Sequence, residues 1–312
     1  MIEVSSLKEL REAGFSRVSI ACGNFDGVHF GHQSIIKKLQ QLAEKSNASP
    51  VVLTFFPHPR QVLQEIDVPS LTSPEAKKEL MAKFGVEALI TIPFSRDFAA
   101  ISAADFVNRV LQVTGLEVCD LCIGSQWKFG AGRKGDVDFL MQGPWTFNVH
   151  GLQEVFQDGE AVSSSRIRAA LAHGDFNQAA SLLGREYAVS GPVVRGRGIA
   201  ASKLKFPTAN IQVNECLPVA GVLACMARIA DEAEWRPAVC NIGVAPTFHG
   251  EFVQAARVEL HLFDFNQDLY GKNIEIVFKQ FIRPEQRFAG VDKLKEQIAE
   301  DVAEARKILA SL

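Results

Sequence analysis

His29 and His32 stand three residues apart in CGNFDGVHFGHQSII (Cys22 to Ile36), among Gly23, Gly27 and Gly31, between an apolar run and an amphipathic one. A strand that passes through a glycine-bearing loop into a helix start presents unpaired backbone N–H groups and the positive end of the helix dipole. Such a place binds anions. Gly27 and Gly31 allow close backbone approach. Imidazoles there can donate hydrogen bonds to a phosphate whose charge grows in a transition state, which suits nucleotidyl transfer without a covalent enzyme intermediate. Histidines that merely cap and solvate the helix start satisfy the same spacing.

A second constellation lies far along the chain. In KFPTANI (Lys205 to Ile211) an extended segment points Thr208 and Asn210 the same way, a geometry for sharing a magnesium ion and its phosphates. In RVELHLF, Val258, Leu260 and Leu262 alternate with Arg257, Glu259 and His261, so that Glu259 lies on the polar face of a strand, placed to take a proton from an attacking hydroxyl. Each has a plainer alternative, a turn for the Pro-Thr pair and a surface charge for Glu259. GAGRKG (Gly130 to Gly135) matches G-x-G-x-x-G, yet Ser125 to Phe129 separate it from the preceding apolar run, so it is not read as a dinucleotide fingerprint. It reads as a flexible basic loop in which Arg133 and Lys134 meet phosphates and Trp127 or Phe129 stacks on a ring, or simply as surface. GRGIAA (Gly196 to Ala201) likewise lacks the strand-to-helix context.

The elements around these residues fall into two patterns. Val18 to Cys22, VVLTF (from Val51), EALITIPF and VCDLCIG read as strands, separated by helical spacing at Ile35, Ile36, Leu39, Leu42 and Ala43, by a helix opening Ser73-Pro74, and by one opened by Ser102 with Asp105. This alternation predicts an α/β Rossmann-like domain, a parallel sheet with helices on both faces, whose ligands lie outside the carboxyl ends of the strands. SSSRIRAALAHGDFNQAASLLGRE reads as a pair of short helices closed by Gly184. From about Tyr187 short alternating runs (YAVSGPVV, GVLACMARIA, PAVCNIG, RVELHLF) predict a small antiparallel β-barrel. A terminal helix follows, with Leu294, Ile298, Val302, Ala305 and Leu309 on one face.

Length and composition agree with two soluble domains. The chain has 312 residues, 47% hydrophobic and 22% charged, with a net charge of -3. It holds no apolar run of the roughly 20 residues a membrane span needs. A membrane protein and a broad basic surface for nucleic acid are both excluded, while local pockets for anionic small molecules are not. The charged N-terminus shows no secretory signal, which places the protein in the cytoplasm. Its six cysteines then read as core thiols, with Cys119 and Cys122 on opposite sides of one strand and unable to share a metal.

GNFDGVHFGH resembles the signature of the nucleotidyltransferase superfamily, and more narrowly that of the bacterial bifunctional riboflavin kinase/FAD synthetases. TFFPHP (Thr54 to Pro59), IGSQWKFGAGRKGD and VSSSRIR (Val162 to Arg168) follow in that family's order. FPTANI, CNIGVAPTF, VELHLFDFNQDLYGKNIEIVF and IRPEQRF then resemble its kinase module. The resemblance implies an FMN adenylyltransferase domain over residues 1–184 and a riboflavin kinase domain over 185–312. ATP, riboflavin and FMN are the implied substrates and Mg2+ the implied metal; oligomeric state stays open. It implies that His29 and His32 stabilise the ATP phosphates, that Ser164, Ser165 and Arg168 grip the leaving pyrophosphate, and that Asn24, Phe25, Asp26 and Gly31 shape the nucleotide pocket, with His58 nearby. Ser165 as a helix cap, Arg168 as a solvated charge and His58 as a turn residue are the plainer alternatives. Trp127, Phe129, Arg283 and Phe288 are implied flavin contacts. Thr208 and Asn210 are implied to hold Mg–ATP, with Glu259 the base for the ribityl hydroxyl. The chain departs from the family pattern at Lys205, where a glycine is usual, and at Leu223, where tyrosine is common. A monofunctional adenylyltransferase whose β-domain only binds flavin, and a flavin-sensing or RNA-binding regulator, are the competing readings.

Overall fold

The computed structural model describes residues 1–66, 68–195, 207–230, 232–243 and 257–311. Lys205 and the GRGIAA segment lie outside them. The chain forms two compact units, Met1–Ser163 and Ser164–Leu312.

The first unit runs β1 (Ile2–Val4), α1 (Leu7–Glu12), β2 (Arg17–Cys22), α2 (Phe30–Ser46), β3 (Ser49–Phe56), α3 (Pro59–Gln64), α4 (Pro74–Lys83), β4 (Ala88–Pro93), α5 (Arg96–Ala99), α6 (Ala103–Phe106), β5 (Glu117–Gly124), α7 (Val137–Gln142) and β6 (Asn148–Leu152), then a hairpin of β7 (Phe156–Gln157) and β8 (Glu160–Ala161). Strands β1 to β6 form one parallel sheet in the order β1-β4-β3-β2-β5-β6. Alternation along β2 explains the layers. Val18, Ile20 and Cys22 pack with Leu7, Leu10 and Phe106, while Ala21 packs with Ile36, Leu39 and Met81 on α2 and α4. Each aliphatic side chain buried this fully contributes roughly 1.5–3 kcal/mol. Successive strands step one way from β2 to β4 and the other way from β5 to β6. The order reverses beside β2, so the crevice expected to take ligands opens where the GNFDGVHFGH turn begins.

Ser73 caps α4 by accepting from the Ala76 N–H, and Ser102 caps α6 by accepting from Asp105. After one turn α6 widens into a π-turn over Val107–Leu111 instead of continuing as a regular helix. The 130–135 segment is not the flexible loop its composition suggests. Phe129 and Gly135 exchange both backbone hydrogen bonds, and Ala131 N–H donates to Ile101 O at 2.7 Å. At Gly130 a Cβ would lie 2.6 Å from the Ala103 nitrogen at φ +70°, so the closure requires glycine.

The second unit begins with α8 (Ser164–Ala172) and α9 (Phe176–Leu183), the latter ended by Gly184 in the left-handed conformation. Strands β9 (Ala188–Val194), β10 (Ala209–Ile211), β11 (Gly221–Ile229), β12 (Arg236–Gly243), β13 (Arg257–Leu262) and β14 (Asn273–Arg283) close an antiparallel barrel in the order β10-β13-β12-β11-β14-β9. The sequence pattern changes after Gly184, yet the helix pair goes with the barrel because Phe176 stacks on Phe278 and Val219 N–H bonds to Leu171 O. Leu223 is fully buried between Cys240 and Phe281. The terminal helix Val291–Ala310 divides its apolar face. Val302, Ala305, Ile308 and Leu309 seal Val222, Ala224 and Val239, whereas Leu294 and Ile298 roof a cavity.

Candidate active sites

In the first unit β2 delivers the chain into a turn held in unusual backbone geometry. Phe25 (φ 48°) and Val28 (φ 43°) both occupy the left-handed region, the second at a β-branched residue's steric cost. Both are fully buried, which fixes them there. Asp26, buried, accepts from the Leu71 N–H at 2.8 Å, and Thr72 Oγ1 accepts from Gly27 N–H, so the turn is tied to the start of α4. His29 is the N-cap of α2, its Nδ1 accepting from the His32 N–H at 3.4 Å. The cap role and the stacking role coexist, since the two imidazoles lie face to face with centroids 3.7 Å apart. A Cβ on Gly31 would come within 3.1 Å of the His29 ring, so glycine makes room for the imidazole. Burial pushes the His32 imidazole well below its usual pKa, and the His29 and Lys77 charges push it further the same way. His32 Nδ1 is buried without a hydrogen-bond partner among the described residues.

Asn24 meets His58, whose Nε2 lies 3.4 Å from the Asn24 side-chain nitrogen. His58 is more than a turn residue. It caps α3, its Nδ1 accepting from Arg60 N–H, while its own N–H donates to Gln61 Oε1. The Asn24 carbonyl accepts from Thr54 Oγ1 at 2.9 Å and from Lys77 Nζ at 3.1 Å. Lys77 was not singled out by sequence pattern. On α4 it neighbours Lys78, which pairs with Glu3 at the surface, and only the fold separates the two.

Trp127 is half-buried and stacks on Phe129 at 4.7 Å. Phe129, expected as a flavin contact, is largely enclosed by protein. It is 7% exposed, packed with Phe106 and Phe139 and pressed against Gly135, and its ring backs Trp127. Ser164, Ser165 and Arg168 occupy the first turns of α8 in the second unit. Ser165 sits inside the helix rather than at its cap and is exposed, while Ser164 and Arg168 are half-buried.

In the barrel, register brings distant residues into one row. Asn210 on β10 and Asn241 on β12 both lie directly across from Glu259 on β13, so an amide flanks the carboxylate on either side. Asn241 carried no sequence signal of its own beyond its place in CNIG. A cavity of about 340 Å3 is lined by Thr208, Asn241, Glu259, Arg283 and Phe288 under Leu294 and Ile298. A second cavity of about 360 Å3 lies along Val193, Leu262, Phe265 and Tyr270. Thr208 lines both. Arg283 is on the wall of the first, but its guanidinium is held by both Asp301 oxygens, at 2.7 and 2.6 Å, and lies over the Phe288 ring at 5.8 Å. It shapes the cavity while its charge is committed.

A histidine pair at the switch point of a parallel sheet, and a carboxylate in a β-barrel cavity that shares Thr208 with a second cavity, define a two-module transferase that handles nucleotide phosphates. The family model for FAD synthetase matches residues 12–166 and that for riboflavin kinase matches 183–309. The bifunctional riboflavin kinase/FMN adenylyltransferase of Pseudomonas fluorescens is 40% identical over 92% of each chain. That of Escherichia coli K12 is 37% identical over 97% of this chain and 96% of its own. A solved structure titled a macrolide-efflux protein from Streptococcus pneumoniae superposes with a TM-score of 0.82 at 28% identity, covering 98% of each chain. No helix among the described residues of the present chain is long and apolar enough to cross a membrane. The chain belongs to the bifunctional riboflavin kinase/FMN adenylyltransferase family.

Proposed function

We propose that this chain makes FAD from riboflavin in two ATP-dependent steps. In the barrel, the ribityl 5′-hydroxyl of riboflavin attacks the γ-phosphorus of ATP, its proton passes to Glu259, and ADP leaves with FMN formed. In the first unit, an FMN phosphate oxygen attacks the α-phosphorus of ATP; the new O–P bond forms as the bond to pyrophosphate breaks. The observation that carries the kinase step is Thr208, shared by two cavities, one roofed by Leu294 and Ile298 and holding Glu259. Two substrates meeting at a common wall is what direct phosphoryl transfer needs.

His29 and His32 stabilise the ATP phosphates, and Asn24, Phe25, Asp26 and Gly31 shape their pocket. Ser164, Ser165 and Arg168 grip pyrophosphate from the start of α8, so the functional modules are taken as 1–184 and 185–312. Trp127 in one module and Phe288 in the other lie against flavin. Thr208 and Asn210 would hold Mg2+. Their donors are neutral oxygens, which suits an ion whose charge is met by ATP phosphates and whose remaining ligands are water. When bound, the ion would neutralise charge on the phosphates. Six buried free thiols support a reducing, cytoplasmic setting. The test is purified protein with ATP and magnesium, given riboflavin in one assay and FMN in the other. FAD from both supports the reading, and FAD from FMN alone leaves only the adenylyltransferase.

A further inference from the structure

Lys77 stands at the first site with a cation that the roles above leave unused. Its ammonium has three donors, and among the described residues one goes to the Asn24 carbonyl at 3.1 Å. The other two have no partner there. The side chain is half-buried; burial lowers its pKa, the field of the Asp26 carboxylate opposes that shift, and the lysine's charge in turn bears on His32. Its position is specified by the fold. Leu71 and Thr72 tie the start of α4 to Asp26 and Gly27, and Ser73 caps the helix that carries Lys77 back over the turn. A desolvated cation costs stability unless it is paired, and here part of the pairing is missing.

We propose that Lys77 binds the triphosphate of ATP, completing the anion site made by the α2 N-terminus and the histidine pair. The proposal rests on the adenylyltransferase reading and adds a residue to it. His32 is held neutral by its surroundings, so it can donate a hydrogen bond but carries no charge. Lys77 brings the ammonium that the neutral imidazole lacks, its charge favoured by Asp26 against the cost of burial. A lysine acts at phosphate as a point charge with freely turning donors, which tolerates the change of oxygen positions as the phosphorus inverts.

The alternative role is a tether, in which Lys77 only anchors the Asn24 carbonyl. Two substitutions in the full-length chain separate the roles, because Lys77→Gln keeps a donor without charge and Lys77→Arg keeps the charge. With FMN saturating, Lys77→Gln is expected to lose about 100-fold in kcat/KM for ATP, while Lys77→Arg stays within about tenfold of the parent chain. KM for FMN and the thermal unfolding profile should be unchanged in both. A Lys77→Gln enzyme with parental kcat/KM for ATP overturns the proposal, as do equal losses in the two variants accompanied by the same drop in melting temperature. If the parent chain itself makes no FAD from FMN, the adenylyltransferase reading fails first. An active parent with an indifferent Lys77→Gln variant removes Lys77 alone.

Discussion

The imidazoles of His29 and His32 stack 3.7 Å apart with their planes 17° from parallel. Two cations cannot share that spacing at low cost, so the pair enters catalysis with at most one charge, and the neutral member is His32. In the proposed reaction, replacing either ring removes a donor to the developing charge. His29→Ala and His32→Ala should each lower FAD formation from FMN by roughly 10²–10³-fold while riboflavin phosphorylation stays at the parental rate. Parental FAD formation by either variant would take that histidine out of the chemistry.

The same depressed pKa makes stability depend on pH. The usual value is 6.5 and the folded value lies well below it, so as pH falls the unfolded chain takes up the proton before the folded one. His32 therefore contributes stability that is fully present above about pH 6.5 and is lost below it, by up to roughly 1.4 kcal/mol per pH unit until the folded value is reached. Denaturant midpoints of the first unit at pH 7.5, 6.5 and 5.5 should fall for the parent chain and fall less for His32→Gln. Parallel pH profiles would contradict this origin.

Glu259 lies between Asn210 and Asn241 and lines the cavity roofed by Leu294 and Ile298. Glu259→Gln preserves size and loses the base, so FMN formation from riboflavin should fall by roughly 10²–10⁴-fold with adenylylation of FMN intact. A variant that still phosphorylates riboflavin would leave Glu259 with a binding role only.

Arg283 and Asp301 join the last barrel strand to the terminal helix through an ion pair whose side chains are 14% and 4% exposed. Asp301→Ala strands a guanidinium in that setting and should destabilise the barrel unit by roughly 3–5 kcal/mol, with a raised KM for riboflavin as the roof loosens. The Arg283→Met/Asp301→Leu pair removes both charges and should recover most of the stability, read from thermal unfolding. A single variant as stable as the parent would show the pair to be incidental.

Local spacing singled out His29, His32, Thr208 and Glu259 as candidates, because each sits in a strand, turn or helix start whose period shows in a few residues. The sheet and barrel were legible for the same reason, the first from alternating strand and helix periods and the second from short alternating runs. What escaped depends on long-range placement. Lys77 and Lys78 are adjacent on α4, and only the tie between Asp26 and Leu71 turns one toward Asn24 while the other meets Glu3. Asn241 reaches Glu259 through strand register, and Asp301 reaches Arg283 through helix packing. The burial of Phe129 was equally out of reach: an aromatic beside glycines and basic residues reads as exposed, yet the hairpin closed by Gly135 packs it against its neighbours.

In the proposed function one chain runs both steps. The most direct measurement follows flavins over time when the purified protein is given riboflavin, ATP and magnesium. FMN should appear first and FAD accumulate after it, with FMN supplied directly also converted to FAD. FAD from FMN but no product from riboflavin would contradict the account.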